Sequence, residues 1–245
     1  MDKFSWNPYL GPFRLPSYSN YMRRLTRSLF YLLCLLPLSF AVSTVSAQDF
    51  NQWESSIINI EKQAPKPPVK ARNYIVFTGS SSIVGWKSLA ADFPNKKVLN
   101  HAFGGSQTFE VLHFADRIIT PFKPKQVVIY SGDNDIAAGK SPETVLQDFT
   151  SLFNTIRSSS RKTFITYISI KPSPSRKQFM PDMVKANRLV KDFLATKRKT
   201  SYIDVYTPML GPDGNPKPEL FKSDSLHMVP AGYKLWADIV RPYLK

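Results

Sequence analysis

The 245-residue sequence holds a single cysteine, Cys34, and only three histidines, His101, His113 and His227. Cys34 lies in an N-terminal leader, so the chain that follows the leader has no thiol. That excludes a cysteine nucleophile, a disulfide framework and a cysteine-based zinc site. The histidines are dispersed, with no His-x-x-x-His or His-Glu pair, and a transition-metal site has no support. Long apolar runs are also missing. Residues 29–42 are apolar but broken by Pro37, and a membrane span needs about 20 such residues. Acidic residues are scarce, 18 against 33 Lys and Arg, for a net charge of +15. The basic residues are scattered, with small clusters at Lys96-Lys97 and Lys197-Arg198-Lys199. No nucleic-acid motif accompanies them, so nucleic acid is not an expected partner. A basic surface of this kind fits peripheral contact with an anionic membrane or glycan.

What is present is enough for a globular domain: 42% hydrophobic residues, including 17 Phe and 11 Tyr, can build a sizeable core. The first 47 residues differ from the rest. Arg23, Arg24 and Arg27 precede the apolar stretch, which ends in Ser43-Thr44-Val45-Ser46-Ala47. This is the pattern of a secretory signal peptide with cleavage after Ala47, an uncleaved anchor being the alternative. Tyr31-Leu32-Leu33 before Cys34 lacks the small residues of a lipoprotein processing site. Residues 1–21 are aromatic- and Pro-rich, and Met22 is an alternative start. The expected organisation is a leader over 1–47, a helical arm and Pro-rich linker over 48–72, and one domain over 73–245. The expected location is periplasmic or secreted.

From residue 73, short β-branched runs alternate with stretches of helical period. Strands are expected at 74–78, 97–100, 126–131, 164–170 and 202–205. Val145, Leu146, Phe149, Leu152, Phe153 and Ile156 share one helix face, after Ser141 as N-cap and Pro142 at the first helical position. Ala186, Leu189, Val190, Phe193 and Leu194 mark a second helix; Tyr233, Leu235, Trp236, Ile239 and Val240 mark a terminal one. Five strands separated by helices imply a doubly wound α/β domain, with a five-stranded parallel sheet between two helical layers. Ligands bind at the carboxyl ends of such strands. The segment Lys171-Pro172-Ser173-Pro174-Ser175-Arg176 is expected to be a rigid loop at that edge and part of the rim of the site.

Asp224-Ser225-Leu226-His227 sets a carboxylate and an imidazole three residues apart, so that one can hold the other as a base. A hydroxyl for that base to activate stands in Thr78-Gly79-Ser80-Ser81-Ser82, directly after the first strand. Each piece alone has a plainer reading, since serines after strands cap helices and Asp224 could cap a turn. Together they read as a serine hydrolase. Asp133 and Asp135 could suggest paired carboxylates for glycoside hydrolysis, but two residues apart in a tight turn they are better explained by bonds to local backbone amides. His101 could line a pocket, but a loop histidine making ordinary hydrogen bonds is the better reading, and His113 falls in a helix, where a structural role is expected.

Four segments now stand in chain order: Gly79-Ser80-Ser81-Ser82, Asn100-His101-Ala102-Phe103-Gly104-Gly105, Gly132-Asp133-Asn134-Asp135, and Asp224–His227. At these points the sequence resembles the SGNH, or GDSL-type, hydrolase superfamily of esterases and lipases, over essentially all of residues 73–245. The resemblance implies a flavodoxin-like three-layer α/β/α fold. It implies Ser81 as nucleophile, Asp224 and His227 as its triad partners, and an oxyanion hole formed by Ser81, Gly105 and Asn134. It implies no cofactor. The family's Asp before the nucleophile is Ser80 here. Ser80 and Ser82 flank Ser81, and the match of Phe77-Thr78-Gly79 and Gly85-Trp86 selects Ser81. The expected activity is hydrolysis of a carboxylic ester: a small-molecule acyl ester, a lysophospholipid or an O-acetylated glycan. The absence of a long apolar lid segment favours a short or medium acyl group. A non-catalytic ligand- or glycan-binding module on the same fold is the alternative; the oligomeric state is open.

Overall fold

The structure, a computed structural model, describes residues 49–66 and 73–245. The expected signal peptide and leader, and linker residues 67–72, lie outside the described residues.

Five strands form one parallel sheet: β1 (Ile75–Gly79), β2 (Val98–Asn100), β3 (Gln126–Tyr130), β4 (Phe164–Ile168) and β5 (Thr200–Ile203), in the order β2-β1-β3-β4-β5. Burial of both faces explains why the strands read as apolar runs rather than alternating ones. Val76, Val127, Ile129 and Ile165 point to one side, where they meet helices α1 (Asn51–Gln63), α4 (Thr108–His113), α5 (Ala115–Ile118), α7 (Pro142–Ser159) and α8 (Met180–Ala195). Ile75, Phe77, Val128 and Tyr130 point to the other. There they meet α2 (Ser81–Val84), α3 (Leu89–Asp92) and α9 (Pro230–Val240), through Ile83, Trp86, Leu89 and Trp236. A short helix α6 (Asp133–Ala137) follows β3. Strand order and layering are those of the expected flavodoxin-like fold.

Boundaries moved where side chains intervene. β4 and β5 end at Ile168 and Ile203, two residues short of the ends expected at 170 and 205. Ser169 turns its hydroxyl inward and its Oγ accepts from the backbone N–H groups of Val205 and Tyr206, taking donors a longer ladder would have used. At the start of α7 the Ser141 Oγ accepts from Thr144 N, the cap that the sequence suggests.

Helix α1 docks on the domain by its apolar face, with Ile57 fully buried and Ile60 nearly so. Burying each such side chain stabilises the contact by roughly 1.5–3 kcal/mol. Polar bonds set its register: Trp53 Nε1 donates to Glu110 Oε1 at 2.7 Å, and Arg117 bonds Glu54 and Glu61 at 2.8–2.9 Å. Phe50 stacks on His113, 3.6 Å between ring centroids, which gives that histidine a packing role. No helix among the described residues is long and apolar enough to cross a membrane.

The Arg117 hydrogen bonds hold both glutamates below their ordinary values. A carboxylate with a depressed native pKa adds stability above the unfolded value, about 4.3 for Glu, and loses it as pH falls through the native value. Amide-exchange protection factors in α1 should therefore fall on acidification below about pH 4, while protection in β1 and β3 persists. Arg117→Ala should lower α1 protection at neutral pH and remove its acid dependence. Protection in α1 that ignores both pH and the substitution would show that the ion pairs do not hold the helix.

Candidate active site

Gly79 closes β1 at φ +123°, and a Cβ there would lie 1.8 Å from the Tyr130 carbonyl oxygen. Only glycine lets β1 approach β3 so closely at this point. Ser80 N then donates to Tyr130 O at 3.1 Å, and the chain turns into α2 with Ser81 as its first residue. After β2 the chain keeps running beside β1, with His101 N on Phe77 O at 2.8 Å and Phe103 N on Gly79 O at 3.1 Å. This brings Gly104 against Ser81: a Cβ on Gly104 would sit 3.9 Å from Ser81 Cβ. Gly105 follows at φ +83°. After β3, Gly132 at φ +113° turns the chain into α6, which carries Asn134. β1 and β3 thus send their chains to opposite faces of the sheet, which opens a crevice at the switch point.

The fourth segment is a tight loop. Asp224 Oδ1 accepts from both Leu226 N and His227 N at 2.9 Å, and Ser225 takes a left-handed conformation, φ +56°. Those bonds swing the His227 ring so that Nδ1 lies 2.7 Å from Asp224 Oδ2 and Nε2 lies 3.0 Å from Ser81 Oγ. The carboxylate only accepts, so Nδ1 carries the proton and Nε2 is left to accept from the serine hydroxyl. The His227 side-chain hydrogen bond, aided by the two amides, holds the Asp224 carboxyl far below the usual carboxylate range. The loop is open to solvent, with side-chain exposures of 47% for Asp224 and 36% for His227.

No hydrogen bond among the described residues uses the backbone N–H of Ser81 or of Gly105. Asn134 Nδ2 donates to Ser106 O at 2.9 Å, and its second N–H is free of that bond. The structure thus joins Ser81, His227 and Asp224 in one hydrogen-bonded chain, with the backbone of Gly105 and the amide of Asn134 at neighbouring strand ends. Such an arrangement can deprotonate a serine and meet a developing negative charge. A cavity of about 450 Å³ adjoins Gly104, with Ile60 and Gln63 of α1 on one wall and Val84, Leu89 and Ala102 on the other. Among the described residues no cluster of His, Cys, Asp and Glu could hold a metal ion.

Two expectations need correction. Asp133 does not bond local amides. It is buried, its Oδ1 lies 3.5 Å from Ser80 Oγ, and its Oδ2 accepts from Tyr130 OH at 3.1 Å, with Lys171 Nζ at 3.5 Å and Arg176 Nη1 at 3.2 Å. Asp135 likewise reaches across the fold, accepting from the backbone N–H and hydroxyl of Thr108 and facing Lys140; burial raises its pKa. His101 makes the ordinary hydrogen bond expected of it: it is buried against Phe122, with Nδ1 2.6 Å from Ile118 O, and burial lowers its pKa. Lys171 and Arg176 are the functional-region residues that sequence reasoning missed. The Lys-Pro-Ser-Pro-Ser-Arg segment pointed to the place, but nothing local marked its lysine as buried.

The GDSL-like lipase/acylhydrolase family profile matches residues 71–235. No curated protein matches the chain significantly in sequence. Similar solved structures include a candidate acylhydrolase from Bacteroides fragilis, 20% identical with a TM-score of 0.68, covering 80% of this chain and 97% of the other. A GDSL-like lipase from Bacteroides thetaiotaomicron is 18% identical with a TM-score of 0.64, covering 80% and 96%. A variant of an acetyl-xylooligosaccharide esterase from Geobacillus stearmophilus is 16% identical with a TM-score of 0.56, covering 71% and 94%. The structures share the fold, and the profile spans more than half of the sequence; the chain belongs to the GDSL-like lipase/acylhydrolase family, an ester hydrolase on a five-stranded α/β/α scaffold.

Proposed function

We propose that the protein is an exported serine esterase that cleaves short or medium acyl esters through a Ser81-His227-Asp224 acyl-enzyme mechanism. The observation that carries this reading is the hydrogen-bonded chain from Ser81 Oγ through both ring nitrogens of His227 to Asp224. Ser81 Oγ attacks the ester carbonyl carbon while His227 Nε2 takes its proton. The tetrahedral oxyanion meets the N–H groups of Ser81 and Gly105 and the free N–H of Asn134, one such donor being worth ~3 kcal/mol. Collapse breaks the ester C–O bond, His227 protonates the leaving alkoxide, and water then attacks the acyl-enzyme with His227 again as base. Asp224 stays ionised throughout and stabilises the imidazolium.

The substrate class is supported by shape. The cavity that adjoins Gly104 is lined by none of Ser81, His227 and Asn134, but Gly104 stands against Ser81, and at about 450 Å³ the cavity falls in the lower half of the ~300–1,000 Å³ usual for ligand sites. An open catalytic loop suits an ester carried on a solvated body such as an O-acetylated glycan, the substrate type named for one of the similar structures. A lysophospholipid would instead place its headgroup against the basic surface.

Hydrolysis of a chain-length series of p-nitrophenyl esters by residues 48–245 is the direct test. Ser81→Ala or His227→Ala should each lower kcat on the order of 10⁶-fold, because the triad acts as a unit. Asp224→Asn should cost about 10⁴-fold by presenting the wrong tautomer. A wild type no faster than Ser81→Ala on any ester, and unlabelled by a fluorophosphonate, would sink the mechanism. Export has its own check. The protein recovered from the periplasm or medium should begin at Gln48; a cell-bound form that keeps residues 29–47 would show an anchor instead.

A further inference from the structure

The Asn134 side-chain amide is clamped at both ends. Its Oδ1 accepts from Arg176 Nη2 at 2.9 Å, while its Nδ2 donates to Ser106 O at 2.9 Å. A guanidinium only donates and a carbonyl oxygen only accepts, so these two partners admit one orientation of the amide. A flipped amide would press oxygen against oxygen at Ser106 and N–H against N–H at Arg176. With Oδ1 and one N–H engaged, the direction of the remaining N–H is fixed as well.

Both halves of the clamp are themselves held. Ser106 Oγ donates to Gly79 O at 3.0 Å, tying its peptide to the end of β1. Arg176 Nη1 faces the buried Asp133 carboxylate at 3.2 Å, an ion contact rather than an aligned hydrogen bond. The backbone leaves helical geometry at Arg176, φ −119° and ψ 23°, inside the turn Pro174–Phe179. Next to it, Ser175 N donates to Ser225 O at 3.1 Å, linking the turn to the loop of Asp224 and His227.

We propose that Arg176, anchored by Asp133, is a positioning residue for ester hydrolysis: it locks the Asn134 amide so that Nδ2, and not Oδ1, meets the oxyanion. This rests on the oxyanion role proposed for Asn134. Without the guanidinium, Oδ1 loses its partner and the amide can turn an oxygen toward the developing charge, which costs the transition state and leaves ground-state binding alone.

A double-mutant cycle on p-nitrophenyl acetate hydrolysis tests it, with Ser81→Ala as the zero of activity. Arg176→Met should lower kcat roughly 10- to 100-fold with KM within about two-fold, the ceiling being the 10²–10³ lost with a whole oxyanion donor. Arg176→Lys, which keeps a donor and a charge opposite Asp133, should recover part of that loss. In an Asn134→Ala background neither Arg176 substitution should lower kcat further. Equal losses with and without Asn134, or a change confined to KM, would overturn the proposal and mark Arg176 as general support or as a substrate contact. Thermal melts accompany each variant; if Arg176→Met unfolds, the same cycle with Arg176→Lys decides. A wild type no faster than Ser81→Ala would sink the catalytic reading and this proposal with it, whereas an active wild type with additive losses would sink the proposal alone.

Discussion

A single backbone approach, β1 against β3 at Gly79, fixes the geometry on which the rest of the site depends. A Cβ at Gly79 would stand 1.8 Å from Tyr130 O, so the strands can close here only where the side chain is a hydrogen atom. The Gly79 carbonyl then accepts from Phe103 N and Ser106 Oγ at once. Ser106 O takes the Asn134 amide, and the next peptide, Ser80 N, bonds Tyr130 O. Three segments separated by many residues are thereby indexed to one peptide unit. Backbone bonds of this kind have little freedom, which is what a site needs when errors of an ångström cost orders of magnitude in rate.

Beneath that frame the protein buries charge. Asp133, Lys171 and Arg176 meet below the strand ends, together with Tyr130 OH and Ser80 Oγ. Burial lowers the Lys171 pKa, so desolvation opposes its charge even beside Asp133. Such a cluster is a poor source of stability, because apolar residues of the same volume often do as well or better. Its worth lies in direction. A buried polar network restricts the rotamers of its members, and this one reaches Ser80 through Asp133 and Asn134 through Arg176.

Much of this architecture was legible in the sequence because it is local. Apolar runs of strand length, helix-period stretches and the Ser141-Pro142 start of α7 each report their own segment, and the order of four short motifs pointed to the candidate site. The errors all concern partners far apart in the chain. Asp133 read as a turn residue because aspartate beside glycine usually is one; its real partners, Lys171 and Arg176, are brought across the fold by β3 pairing with β4. Asp135 read as local for the same reason, since its partner Thr108 lies 27 residues earlier, at the start of α4. The shortened β4 and β5 turn on one hydroxyl, Ser169, whose inward rotamer no periodicity encodes.

Helix α1 extends the same logic to the outer edge of the site. The ring of Trp53 packs edge-on against Phe103, and its Cη2 atom would lie 3.3 Å from a Cβ on Gly105. Its indole N–H is held by Glu110, whose other oxygen accepts from Gln107 N at the start of α4. Gly105 is thus backed by a large rigid side chain from outside the sheet domain's own strands and helices. A glycine at φ +83° has wide freedom when unsupported, and a donor that wanders contributes little to a transition state. The arm that looks peripheral in sequence therefore completes the wall behind the candidate oxyanion loop, while the opposite side, where Asp224 and His227 stand in solvent, is left open for whatever carries the ester.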